Sequence, residues 1–137
     1  MEVSDSARHA PELRDKVRAL AQTTRGLKLL VLFGSRGRGD EHRGSDWDFA
    51  FRGDPSLVVE LLRANLAAEL ATDAVDLVDL DRANGLLRYR AARDGVLLFE
   101  ARPSLFEQFW LDAVGFWCDA RHVLEPSYEA ILERTSD

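Results

Sequence analysis

Between Leu27 and Phe33 the chain runs LKLLVLF, one polar position among seven, and then meets a glycine. A run this short and this apolar suits a strand buried on both faces better than a helix. Upstream, Leu13, Val17, Leu20 and Ala21 recur at helical spacing. They predict an amphipathic helix from about Ser6 to Thr24, with Pro11 near its start and Gly26 ending it. Downstream, DWDFAF (Asp46 to Phe51) predicts a second strand paired with the first. Leu57, Val58, Leu61, Leu62, Leu66 and Leu70 lie on one stripe, which predicts a helix over Pro55–Leu70 with Pro55 at a favoured N-terminal position. AVDLVDL, Ala74 to Leu80, reads as a third strand. Arg82–Arg93 reads as a helix weakened by Gly85, and GVLLFE, Gly95 to Glu100, as a fourth strand after an Asp94-Gly95 turn.

From Pro103 onward, Leu105, Phe106, Phe109, Trp110, Ala113, Phe116 and Trp117 predict a helix, broken by Pro126 before a short second one. The simplest reading of this aromatic stripe is the inner face of a helix packed on the sheet. The alternative is a partner or self-association surface, because aromatic residues are enriched in interface cores. The element order α-β-β-α-β-α-β-α implies an α/β (α+β) fold, a mixed sheet of about four strands flanked by helices. No internal repeat and no linker divides the chain, so residues 1–137 read as one domain with a helical extension from about residue 103.

Composition narrows the function. With 137 residues, 46% of them apolar, one core is within reach. No apolar run approaches the roughly 18 residues of a membrane span, and the polar N-terminus has no hydrophobic signal region. Together with a lone Cys118 these features lead to the expectation of a soluble, cytoplasmic protein. A formal charge of -6 argues against broad adhesion to DNA, RNA or anionic membrane, while leaving room for a small anion held by local cations.

The chemistry concentrates in LFGSRGRGDEHRGSDWDFAF, Leu32 to Phe51. Residues two apart in a strand share a face, so Asp46 and Asp48 point one way while Trp47 and Phe49 point the other. Two like charges side by side gain nothing from a core, but a divalent cation turns their repulsion into affinity. Two such ions can clamp an in-line displacement at phosphorus. If Gly34-Ser35 opens a helical turn after the first strand, its free N–H groups and the Ser35 hydroxyl form a phosphate-binding corner. Arg36, Arg38 or Arg43 then neutralises a polyphosphate, with Arg36 best placed because it adjoins the turn. A third carboxylate would accept a proton from the attacking hydroxyl. Asp76 and Asp79 lie an odd number apart and face opposite ways; mid-strand Asp76 is the candidate, and Asp79 reads as a surface carboxylate.

These residues resemble the DNA polymerase β-like nucleotidyltransferases: Gly34-Ser35, ten residues, then Asp46-x-Asp48. With VDLVDL and GVLLFE in the expected order, the chain resembles the minimal nucleotidyltransferases encoded beside HEPN-domain partners, over roughly residues 10–102. The resemblance implies transfer of a nucleoside monophosphate from an NTP to a hydroxyl, with pyrophosphate leaving. It implies that Gly34 and Ser35 bind the β- and γ-phosphates, that Asp46 and Asp48 hold two Mg2+ ions, and that Asp76 shares a metal and activates the acceptor. It further implies ATP as substrate and a tyrosine on a HEPN ribonuclease toxin as acceptor, which makes the protein an antitoxin. Trp47 departs from the family, where a small aliphatic residue is common. An aminoglycoside-type small-molecule transferase and a catalytically silent binding antitoxin are the competing readings.

Two further motifs attract blander explanations. Arg38-Gly39-Asp40 spells an integrin-binding tripeptide, which a cytoplasmic chain does not use. Cys118 and His122 stand four apart on a helix without a third or fourth ligand, so packing or partial exposure explains them better than metal binding.

Overall fold

A computed structural model describes the backbone of residues 5–42 and 44–124, and side chains over 11–42 and 44–119. The elements follow in the order α1 (Asp5–Thr23), β1 (Leu27–Phe33), α2 (Gly34–Arg38), β2 (Trp47–Gly53), α3 (Val59–Leu70), β3 (Val75–Asp79), α4 (Gly85–Asp94), β4 (Val96–Glu100) and α5 (Leu105–Leu124). The four strands form one mixed sheet in the order β3-β2-β1-β4. Strand β1 is antiparallel to both β2 and β4, and β2 runs parallel to β3. The predicted α/β architecture is the observed one.

Strand β1 is central and has both faces covered, which is why its sequence lacks alternation. On one face Leu30 and Leu32 join Trp47, Phe49, Phe51 and Val75 beneath α1 and α3, which contribute Val17, Ala21, Leu62, Leu66 and Leu70. On the other, Leu29, Val31, Phe33 and Ala50 pack with Ala91 and Ala92 of α4 and Phe109 and Ala113 of α5. Phe49 and Phe109, both fully buried, anchor the two layers. Truncating either to Ala would cost about 3–5 kcal/mol.

Two helix starts differ from the sequence reading by several residues. The helix expected from Pro55 begins at Val59, because the Asp54 carboxylate accepts hydrogen bonds from the Ser56 N–H (2.8 Å) and hydroxyl and closes a turn there. The helix expected from Arg82 begins at Gly85, with Asn84 as its cap, its side chain accepting the Leu87 N–H at 2.8 Å. A Cβ at Gly85 would displace the half-exposed Phe116 ring. The aromatic stripe of α5 also splits. Phe109, Ala113 and Trp117 are buried, whereas Trp110 (41% exposed) and Phe116 (51%) fall on the flanks of that line, and Leu111 (56%) is exposed as well. Trp117 stacks on Tyr89 with ring centroids 5.0 Å apart, tying α5 to α4. Cys118 is exposed, while the His122 side chain and the second helix beyond Pro126 lie outside the described residues. No helix among the described residues is long and apolar enough to cross a membrane.

Candidate active site

Sheet register builds the site. Phe33, the last residue of β1, pairs with Asp48 of β2, and Asp48 in turn pairs with Asp76 of β3. The end of β1, where the chain turns at Gly34, therefore lies beside the carboxylates. Trp47, Phe49 and Val75 point into the α1/α3 layer, so Asp48 and Asp76 project from the opposite face.

Gly34 has φ +69, a left-handed conformation that disfavours any other residue. A Cβ there would also strike the Asp48 carboxylate, so the glycine is needed twice. The turn continues as α2, which is held by Arg14 of α1 donating to the Arg36 carbonyl at 3.0 Å. It ends where the Gly39 N–H returns to the Ser35 carbonyl at 3.0 Å. Gly34, Ser35, Arg38, Ser45, Asp46, Asp48 and Arg90 are among the residues lining one open cleft of about 480 Å3.

Of the predicted carboxylates, Asp46 is exposed at the cleft mouth and Asp48 is partly buried within it. Burial, followed by the charges of Asp76 and Asp46, raises the Asp48 carboxyl above its ordinary 3.8, with Arg90 and Arg38 opposing. Asp76 is exposed and stands at the level of Asp48 on the neighbouring strand. Asp79 accepts the Asp81 N–H at 2.9 Å and lies 3.7 Å from Arg82, away from the cleft. The three aspartates do not already close around a common point: among the described residues no three acidic, His or Cys side chains form a ready metal cage. Such a donor set fits Mg2+, which takes one or two carboxylates and completes its shell with water and substrate phosphate.

The arginines sort differently from the sequence reading. Arg36, expected on the phosphates, turns into the protein and is only 7% exposed. Its Nε and Nη2 donate to the Ser45 carbonyl at 3.1 and 2.9 Å, and its guanidinium lies 4.1 Å from the Trp47 ring centroid. Burial lowers its pKa, with Glu41 and Asp46 opposing. Trp47, the residue that departs from the family, is thus a platform that holds Arg36 in the loop before β2. Arg43 lies outside the described residues. Arg38 does line the cleft, but its charge is engaged by Asp40 at 3.2 Å and by Asp94 at 3.1 Å. Asp94 is buried at the end of α4 and also pairs with Arg93 at 2.9 Å. Burial raises the Asp94 carboxyl, but hydrogen bonds and charge from Arg93 and Arg38 outweigh that and leave it lowered. Arg90 of α4, which no motif singled out, also lines the cleft.

A glycine-serine corner joined through sheet register to Asp48 and Asp76, with Asp46 just before β2, suits transfer at phosphorus, and the family of the chain is one of such transferases. The chain belongs to the polymerase beta nucleotidyltransferase family, whose profile matches residues 15–104, and it is a nucleotidyltransferase. More particularly, it is similar to the protein adenylyltransferase MntA of Aphanizomenon flos-aquae (strain 2012/KM1/D3), at 32% identity over 72% of this chain and 73% of that one. A chain of a toxin–antitoxin crystallised with AMP-PNP superposes with a TM-score of 0.67 at 27% identity, covering 90% of this chain and 98% of that one. A chain from the complex of a tri-AMPylated Shewanella oneidensis HEPN toxin with its MNT antitoxin shares the fold, with a TM-score of 0.63 at 24% identity over 93% and 98%.

Proposed function

We propose that this protein is an antitoxin that moves AMP from ATP to a tyrosine hydroxyl of a HEPN-domain toxin in the cytoplasm. The likeness to a protein adenylyltransferase and to a chain of a toxin–antitoxin crystallised with AMP-PNP supports a toxin as partner and AMP as the group moved. The observation that carries the chemistry is the register Phe33–Asp48–Asp76, which sets the Gly34-Ser35 corner beside the carboxylates.

In this reading Gly34 and Ser35 receive the β- and γ-phosphates, Gly34 by letting the backbone come close and Ser35 through its hydroxyl. Asp46, Asp48 and Asp76 would hold two Mg2+ ions, which when bound supply charge neutralisation at the phosphates. The acceptor oxygen forms a bond to the α-phosphorus, and the bond from that phosphorus to the bridging oxygen breaks. Pyrophosphate leaves with the electron pair. Asp76, exposed on β3 at the level of Asp48, takes the proton of the acceptor hydroxyl. Arg36 contributes by fixing the loop that delivers Asp46.

The test is transfer of label from α-labelled ATP to a co-purified toxin. Wild type labels the toxin, and Asp46→Asn/Asp48→Asn forms the same complex without labelling it. Full neutralisation by the double variant would establish a silent binding antitoxin instead, and labelling of an aminoglycoside but of no protein would establish a small-molecule transferase.

A further inference from the structure

Helix α4 brings to the cleft a cation, Arg90, whose charge acts on Asp48 but which forms no ion pair among the described residues. Asn84 caps the helix, and Ala91 and Ala92 seat it on the sheet, so the position of Arg90 is set by packing. The Arg90 Nε is closed off from solvent, yet it has no hydrogen-bond partner among the described residues. A desolvated donor without an acceptor is costly and persists only where the surroundings impose it. The other two arginines of the site are committed, Arg36 to the Ser45 carbonyl and Trp47, and Arg38 to Asp40 and Asp94. Arg90 lines the same cleft as Ser35, Asp46 and Asp48, so an anion entering there meets its side chain.

Charge balance says which anion. A triphosphate brings about four negative charges to three aspartates, and two divalent ions cancel only about four of those seven. A cleft built for that ligand needs a cation of its own for the charge left over. Arginine suits this task because its planar fork can hold two phosphate oxygens and it never gives up its proton.

We propose that Arg90 binds the β- and γ-phosphates of the nucleotide and takes up the charge that builds on pyrophosphate as it leaves. This rests on the nucleotidyl-transfer reading given above. The electron pair of the broken bond stays on the pyrophosphate, to whose non-bridging oxygens Arg90 donates N–H, while the acceptor proton goes to Asp76.

The experiment compares wild type, Arg90→Gln and Arg90→Lys by calorimetric titration of Mg-pyrophosphate, Mg-ATP and AMP. It then compares transfer rates with ATP and its β,γ-difluoromethylene and β,γ-methylene analogues. Arg90→Gln is expected to weaken pyrophosphate and ATP binding roughly tenfold to a hundredfold and AMP binding by less than about twofold. Its rates fall more steeply than those of wild type as the leaving group becomes more basic, and Arg90→Lys restores part of both effects. A merely structural arginine would leave the leaving-group dependence unchanged. If Arg90→Gln does not fold, Arg90→Lys carries the same comparison, with a smaller loss at pyrophosphate. Pyrophosphate affinity within about twofold of wild type in both variants, or equal losses for AMP and pyrophosphate, overturns the assignment of Arg90 alone. Failure of wild type itself to bind Mg-ATP overturns the reading of the site, and this assignment with it.

Discussion

Replacing Asp48 by Asn should make the metal-free protein more stable while removing its activity. Asp48 is partly buried, with Asp76 at the same level of the next strand and Asp46 two residues before it. Neighbouring strands lie about 4.8 Å apart. Two unit charges about 5 Å apart repel by about 3 kcal/mol at an effective dielectric near 20. Asp76 is exposed, so solvent screens most of that repulsion, and about 1 kcal/mol remains. Asn keeps the shape and removes the charge, which also lifts part of the cost of burying Asp48. The expected gain is about 1–2 kcal/mol, a rise in melting temperature of about 3–8 °C for a domain of this size. Thermal unfolding in EDTA at pH 7 measures it. The carboxyl of Asp48 is raised in the fold, so its cost is fully present where both folded and unfolded chains are ionised. That cost is relieved as pH falls through the raised value, so the advantage of Asn should shrink from pH 7 toward the ordinary 3.8. With Mg-ATP present the order inverts, since only wild type gains from the ligand. A variant that melts at or below wild type in EDTA at pH 7 would refute the claim that the aspartates repel one another in the apo fold.

Gly34→Ala is expected to cost about 2–3 kcal/mol from the left-handed backbone and displacement of the Asp48 carboxylate, and to weaken Mg-ATP binding by at least about tenfold, checked by melting and calorimetry. Asp94→Asn leaves Arg38 and Arg93 without their buried partner and should cost about 2–3 kcal/mol in urea unfolding at pH 7. Because the Asp94 carboxyl is lowered, that contribution is complete above the unfolded value of about 3.8 and is lost as pH falls through the folded one, so wild type and variant should converge in acid. Arg36→Lys loses the forked donation to the Ser45 carbonyl and the stacking on Trp47 and should cost about 1–2 kcal/mol, with Mg-ATP affinity kept within about threefold; a large loss of affinity at unchanged stability would return Arg36 to the phosphates.

The sheet and the acidic half of the site were legible because strands carry short-range signals. LKLLVLF marks the doubly covered strand, and the period of two places Asp46 and Asp48 on one face and separates Asp76 from Asp79. The arginines were not legible, because an arginine beside a turn has the same neighbours in sequence whether it reaches into solvent or folds back. Trp47 was the available clue, a large flat ring where a small residue is usual, and a ring of that kind offers a guanidinium a face to lie on. Arg90 sits in RYRAAR among arginines that look alike, and only the packing of Ala91 and Ala92 decides which one turns to the cleft. The α5 stripe divides between core and surface because seven apolar positions exceed what one helix can press on a sheet.

The parallel pairing of β2 with β3 also bears on how the protein comes into being. Phe33 and Asp48 are brought together by an antiparallel partner close in sequence, but Asp76 reaches Asp48 only after the crossover through α3 has folded and docked. Non-local parallel pairings form late because a long loop must close before any contact rewards it. On the proposed roles, a half-assembled chain can present the glycine-serine corner and two aspartates, and so retain a nucleotide, without the group that takes the acceptor's proton. Modification of a partner then reports that the crossover is complete, and a newly made chain cannot act before β3 is in place.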